Sequence, residues 1–254
     1  MNVETSTSSK KSMSAGEQQA RVNLAACYRL VAHYGWDDMI FTHISARVPG
    51  PEHHFLINPF GMLFNEITAS SLIKVDQHGN MIEPSNYFVN PAGFVIHSAV
   101  HMAHENAGRV LHLHTRSGIG VSAQKEGLLP ISQMSLSMHG RVAYHEYEGI
   151  ALNLDERERL VKDMGDKRFL ILKNHGTLTW GSSVPEAFQR MYWLERACET
   201  QIAAQSGGAA LHFPSQEVRE LTAQQGELIW SGAAELAWAS LLRMLDKKDP
   251  SFRT

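Results

Sequence analysis

The chain has 254 residues, 43% of them hydrophobic, and a formal charge of -3. That size suits one globular unit with a substantial core, and the near-neutral balance gives no electrostatic footprint for nucleic acid or an anionic membrane surface. No apolar run approaches the roughly 18 residues of a membrane span, and Cys27 and Cys198 fall in apolar helical patterns with no secretory leader ahead of them, so a soluble cytoplasmic protein whose partners are small molecules or further subunits is expected.

Residues 1 to about 15 are rich in Ser, Thr and Lys and poor in large apolar side chains, which predicts a disordered tail. From Glu17 to about Tyr34 the spacing of Val22, Ala25, Ala26, Leu30 and Val31 predicts a helix closed by Gly35. The period then changes. Ile44 to Val48 and Phe55 to Ile57 predict short strands about a Pro-Gly-Pro turn, and Ile73 to Val75 predicts another.

Ala92 to His104 reads as a helix, Arg109 to Thr115 as a buried strand, and Gly118 to Gln124 as a small-residue helix. Strands follow near Val142 and at Phe169 to Leu172, the latter running to Asn174-His175-Gly176. Asp155 to Arg159 is the exposed start of a helix. Pro185 opens a helix with a broad apolar face, interrupted at Ser206-Gly-Gly208, and a terminal helix begins near Gln216. Residues 206–254 form a C-terminal helical extension expected to pack on a neighbouring subunit.

Fourteen histidines outnumber the ten phenylalanines, and five of them lie between His97 and His114. Side chains alternate along a strand, so His112 and His114 point to one side, about 7 Å apart along the backbone. Two polar rings flanked by Val110, Leu111 and Leu113 are costly to bury without a shared purpose, and two imidazoles leaning onto one ion supply one. His175 would complete a three-nitrogen site. His97, His101 and His104 share a helical face, for which ordinary buried hydrogen bonding is the simpler explanation at His101 and His104.

At these residues the chain resembles the class II aldolase and adducin superfamily over about residues 17–205, and the adducin head domain and related bacterial proteins more than the sugar-phosphate aldolases. The resemblance is carried by Gly35-Trp36, Thr42-His43-Ile44-Ser45-Ala46-Arg47, Ile57-Asn58-Pro59-Phe60-Gly61, Ile96-His97-Ser98-Ala99, His112-Leu-His114-Thr115, Gly127 to Ser132, and Leu172-Lys-Asn-His175-Gly176, in that order. It implies a three-layer α/β/α domain over 16–205 with a mostly antiparallel central sheet, assembled as a homotetramer. It implies a divalent metal on His112, His114 and His175, zinc in the aldolases with iron or manganese as alternatives, and substrate contacts from Thr42, His43, Ser45 and Gly61. In the aldolases the ion holds carbonyl and hydroxyl oxygens of the substrate while a carbon–carbon bond breaks.

The departures from the aldolase pattern matter as much. The aldolases carry a Ser-Ser-Glu run whose glutamate is the acid/base, and here Pro91-Ala92-Gly93 stands there. Glycine can neither move a proton nor ligate through a side chain. The phosphate cradle is altered at the same places, since the aldolase Gly-Asn is Thr42-His43 and proline lacks an amide donor. A non-phosphorylated carbonyl or hydroxy-acid substrate is therefore expected for a metal-dependent lyase or decarboxylase. His43 and His97 either supply the lost acid/base chemistry or are structural; Glu83, Glu105, Glu146 and Glu148 have no motif placing them at the ion. An iron(II) oxygenase of the same superfamily and a noncatalytic adducin-like scaffold remain as alternatives.

Overall fold

The computed structural model describes residues 13–150 and 153–254; the side chains of Pro91, Ala92, Ile229, Trp230 and Ser231, and most of the expected tail, lie outside the described residues. Helix α1 (Ala15–His33) starts where the Ser14 hydroxyl accepts from the Glu17 amide, an N-cap that replaces one missing intrahelical partner. It ends in a tight return in which the Trp36 amide donates to the Val31 carbonyl. Trp36 is thereby buried, its ring stacked 4.8 Å from Tyr34. This anchors the acidic pair Asp37-Asp38 close to the sheet.

Seven strands follow: β1 (His43–Arg47), β2 (Phe55–Ile57), β3 (Ile73–Val75), β4 (Arg109–Leu113), β5 (Val142–His145), β6 (Phe169–Leu172) and β7 (Gly176–Gly181). Their order is β3-β2-β1-β4-β7-β6-β5, and only the β5–β6 pair is parallel. In register, His43 faces His112 and Leu178 faces His112 from the other side, so His43, Ser45, Val110, His112 and Leu178 share one sheet face. Ile44, Ala46, Leu111 and Leu113 share the opposite one.

Each face is covered by helices. Helix α2 (Pro91–Ala103) and α5 (Glu156–Met164) close the first, with Ile96, Ala99, Val100, Leu160 and Met164 packed on Val110, Leu170 and Leu178. The second carries α1, α3 (Arg116–Ser122) and α6 (Val184–Ser206), whose Leu30, Phe188 and Met191 join Ile44 and Leu111 in one core. This is the expected three-layer α/β/α arrangement on a mostly antiparallel sheet. A short helix α4 (Gln133–Ser137) had no clear periodic signal.

The terminal helix α7 (Gln216–Lys248) packs on α1, α4 and α6 of its own chain, with Trp238 and Leu245 in the main core and Phe252 beyond its end buried as well. Its outer side leaves Leu228 and Leu236 exposed at 81% and 76%. Among the described residues no helix is long and apolar enough to cross a membrane, and both cysteines are free and buried.

One predicted element differs in shape. His175 does not end a strand but occupies a three-residue turn, Lys173-Asn174-His175, between β6 and the strand β7 that the sequence pattern did not reveal. The Thr177-Leu178-Thr179-Trp180 alternation of β7 is only four residues long, and this central strand buries the threonines too, with hydroxyls that find partners on α6. His114 likewise lies one residue past β4, not within it.

Candidate functional site

The turn before β7 is held against the end of β4 by a close backbone pass. A Cβ on Gly176 would sit 2.4 Å from the Leu113 carbonyl oxygen, so only glycine lets the two segments meet there. That contact brings the His175 ring beside His112 and His114. Ring centroids are 4.8 Å apart for 112–114, 4.8 Å for 112–175 and 4.9 Å for 114–175, and one nitrogen from each ring lies within 4.8 Å of the others. The three histidines expected to converge do so.

Hydrogen bonds decide which nitrogens face inward. His112 Nδ1 lies 3.1 Å from the Thr177 carbonyl oxygen, which can only accept, so Nδ1 carries the proton. His114 Nδ1 lies 3.1 Å from Asp38 Oδ2 and donates to it in the same way. The two Nε2 atoms are then left facing each other at 3.0 Å. Neutral rings would oppose two lone pairs at that distance, which a proton or a cation between them must relieve. Two nitrogens on one zinc at about 2.0–2.1 Å would be about 3.3 Å apart, so the gap needs to open only slightly.

Burial keeps the His112 and His175 rings from charging. It holds His112 well below the ordinary imidazole range, with His175 and His114 adding repulsion, and pushes His175 down to about 4. Neutral imidazole is the form that ligates a metal. Asp38 is a functional candidate that sequence reasoning missed. Its signal was the acidic pair directly after Gly35-Trp36.

Beside this cluster, His43 and His97 are both buried, their rings edge to face at 4.7 Å, and His43 lies 5.3 Å from His112. Gly93 on α2 explains the arrangement. A Cβ there would meet His43 Cδ2 at 2.4 Å and Nε2 at 2.8 Å, so the imidazole fills the volume into which a residue-93 side chain would grow. The two departures from the aldolase pattern, at 43 and at 93, are sterically one exchange.

Thr42 precedes His43 with φ +64, a left-handed conformation that a β-branched residue adopts only under strain. Its hydroxyl is buried and has no partner, and neither has His43 Nδ1. Substituting Thr42→Gly should raise stability by about 1 kcal/mol, because it relieves the backbone strain and removes a dehydrated hydroxyl. Urea unfolding midpoints would measure this; an unchanged or lower midpoint would mean that the loop holds Thr42 without cost.

The remaining candidates are placed as follows. Gly61 is exposed at φ +108, beside the Phe60–Phe88 backbone bridge. The Ser45 hydroxyl, read from the resemblance as a substrate contact, is engaged between His97 and His101. His104 stacks on Trp180 at 5.0 Å, as a structural ring would. Glu83, Glu146 and Glu148 are held in ion pairs with Arg21, Lys173 and Arg159. Among the described residues the only grouping able to hold a metal is His112, His114 and His175.

Residues 22–202 match the family described as the class II aldolase and adducin N-terminal domain. The chain belongs to the class II aldolase and adducin family. Within it, a Caulobacter vibrioides protein named for class 2 aldolases is 56% identical over 245 residues, 96% of this chain and 95% of that one. Alpha-adducin of Rattus norvegicus is 46% identical over 198 residues, 76% of this chain but 27% of the adducin. The crystal structure of an aldolase II superfamily protein from Pseudomonas syringae superposes with a TM-score of 0.92 at 55% identity, covering 95% of this chain and 98% of that one. Family membership, fold and a histidine cluster able to hold a metal are thus established together.

Proposed function

We propose that the protein is a divalent-metal-dependent enzyme of this family, a lyase or decarboxylase acting on a small non-phosphorylated carbonyl or hydroxy-acid compound. The observation that carries the reading is the pair of inward-facing Nε2 atoms of His112 and His114, 3.0 Å apart, each fixed by a partner on its own Nδ1. Such donor sets favour a cation such as zinc, with iron or manganese as alternatives. A bound ion would supply Lewis-acid polarisation of substrate oxygens.

The chain's own residues do the rest. Asp38 and the Thr177 carbonyl orient His114 and His112, and His175 approaches from the β6–β7 turn. No carboxylate stands where the aldolases keep their acid/base, and the His43 ring occupies that volume. His43 and His97 are then the groups within reach to hold or move a proton, with Thr42, His43 and Gly61 lining the substrate side. The dehydrated imidazoles beside Thr42 offer no positive charge to a phosphate, which supports a non-phosphorylated substrate. The exposed leucines of α7 support assembly into a homo-oligomer, a tetramer by family analogy.

The test is elemental analysis of gently purified protein, then a screen of hydroxy and keto acids with the ion found. About one ion per chain and metal-dependent turnover are expected. Absence of any ion, with none taken up on addition, would sink the reading. The similarity to alpha-adducin favours a second one, a noncatalytic scaffold; a bound ion with no turnover across the screen would favour it. Oxygen uptake with iron(II) and not with zinc would instead indicate an oxygenase.

A further inference from the structure

On the α2 side of the sheet, three buried polar groups form a continuous hydrogen-bonded column. His101 Nδ1 lies 2.7 Å from the Ala107 carbonyl oxygen, Ser45 Oγ lies 2.7 Å from His101 Nε2, and His97 Nδ1 lies 2.5 Å from Ser45 Oγ. His101, Ser45 and His97 are 2%, 2% and 3% exposed, so water does not compete for these bonds.

The column has one direction. The Ala107 carbonyl only accepts, so His101 Nδ1 holds a proton, and the neutral ring leaves Nε2 to accept. Burial and the facing Arg47 and Arg109 guanidinium groups keep His101 neutral, pushed down to about 3. Ser45 has a single proton and spends it on His101 Nε2. Its oxygen must then accept from His97 Nδ1, which leaves His97 Nε2 as a bare lone pair. That atom is buried with no partner in hydrogen-bond geometry, while the His43 backbone beside it favours a protonated ring, a pull that the column must overcome to keep Nε2 bare.

Along β1 the column runs toward the candidate centre, since Ser45 is followed by His43, and His43 touches both His97 and His112. We infer that His101 and Ser45 are positioning residues that lock His97 in its Nδ1–H tautomer, so that its Nε2 is presented as an acceptor for a hydroxyl group of the substrate. A bare lone pair attracts an O–H donor and repels an anion. The hydroxyl part of this inference rests on the proposed reading of the site, whereas the tautomer does not.

The first measurement uses metal-free, nitrogen-15-labelled full-length protein and long-range proton–nitrogen correlation spectra of the histidines. For His97, a protonated Nδ1 and an unprotonated Nε2 are expected. Ser45→Ala should mix or invert the two forms, and Ser45→Thr, which keeps the hydroxyl, should restore them. His101→Phe is a second route, because it keeps the stacking on Phe55 at 4.4 Å while deleting the acceptor; it too should mix the forms. A protonated Nε2 in the wild type, or an unchanged His97 in both Ser45→Ala and His101→Phe, would overturn the positioning role.

The second measurement titrates zinc-loaded protein with glycolate, acetate and inorganic phosphate. The preference for glycolate over acetate should fall about tenfold in Ser45→Ala, the size of one hydrogen bond. A preference that survives unchanged overturns the hydroxyl contact. Failure to load zinc counts against the proposed function instead, and leaves the tautomer result to decide the positioning role.

Discussion

Gly93→Ala should destabilise the protein by about 2 kcal/mol, the usual cost of forcing extra volume into a filled interior. The sign is diagnostic. In an unobstructed helix interior the same change stabilises by about 1 kcal/mol, but here the added carbon would lie 2.4 Å from the His43 ring. In a His43→Ala background the penalty should vanish, giving a coupling energy of about 1–3 kcal/mol in the double-mutant cycle. Chemical denaturation of the four proteins measures it. Additive effects would show that His43 and residue 93 do not compete for one volume. By the same reasoning Gly93→Glu alone should not recreate an aldolase acid/base, since its side chain cannot enter while the imidazole is there.

The second large effect concerns the cluster itself. His112→Ala and His175→Ala should each weaken metal binding on the order of 100-fold or more, and Asp38→Asn by about 10- to 100-fold through loss of the carboxylate that orients His114. Competition with a chromophoric chelator would rank the three. A stability comparison separates a ligand cluster from a structural hydrogen-bond network. With metal present, His114→Ala should lower the unfolding midpoint; without metal it should cost little, because it removes one of two facing lone pairs. Equal losses under both conditions would assign the bond between the rings to a shared proton.

The fold was legible wherever a physical period was strong. The spacing in α1 and α6, and the short β-branched runs of β1 to β3, predict elements within a residue or two of those observed. Strand β7 was missed although Thr177-Leu178-Thr179-Trp180 alternates polar and apolar residues, because that alternation spans only four residues between glycines and holds no long apolar run. At the site, His112, His114 and His175 were readable from strand alternation and motif order. Asp38 was not, since its place depends on the return at Gly35 and the burial of Trp36, a tertiary event. The role of Gly93 was readable only as a loss; that His43 fills the space requires the packing of α2 on β1. The i, i+4 spacing of His97 and His101 gave a shared helical face but not Ser45 between them.

The close pass of Gly176 against the Leu113 carbonyl ties the cluster to the middle of the sheet, where β4 and β7 are neighbours. His175 reaches the other two rings only when those strands are paired, and they part only when the molecule opens as a whole. A cation gripped there would behave as a rivet at the centre of the sheet, its affinity added in full to the work of global opening: about 2.7 kcal/mol at a hundredfold excess over its dissociation constant. Chelators would then shift the entire unfolding curve and would not merely fray one end.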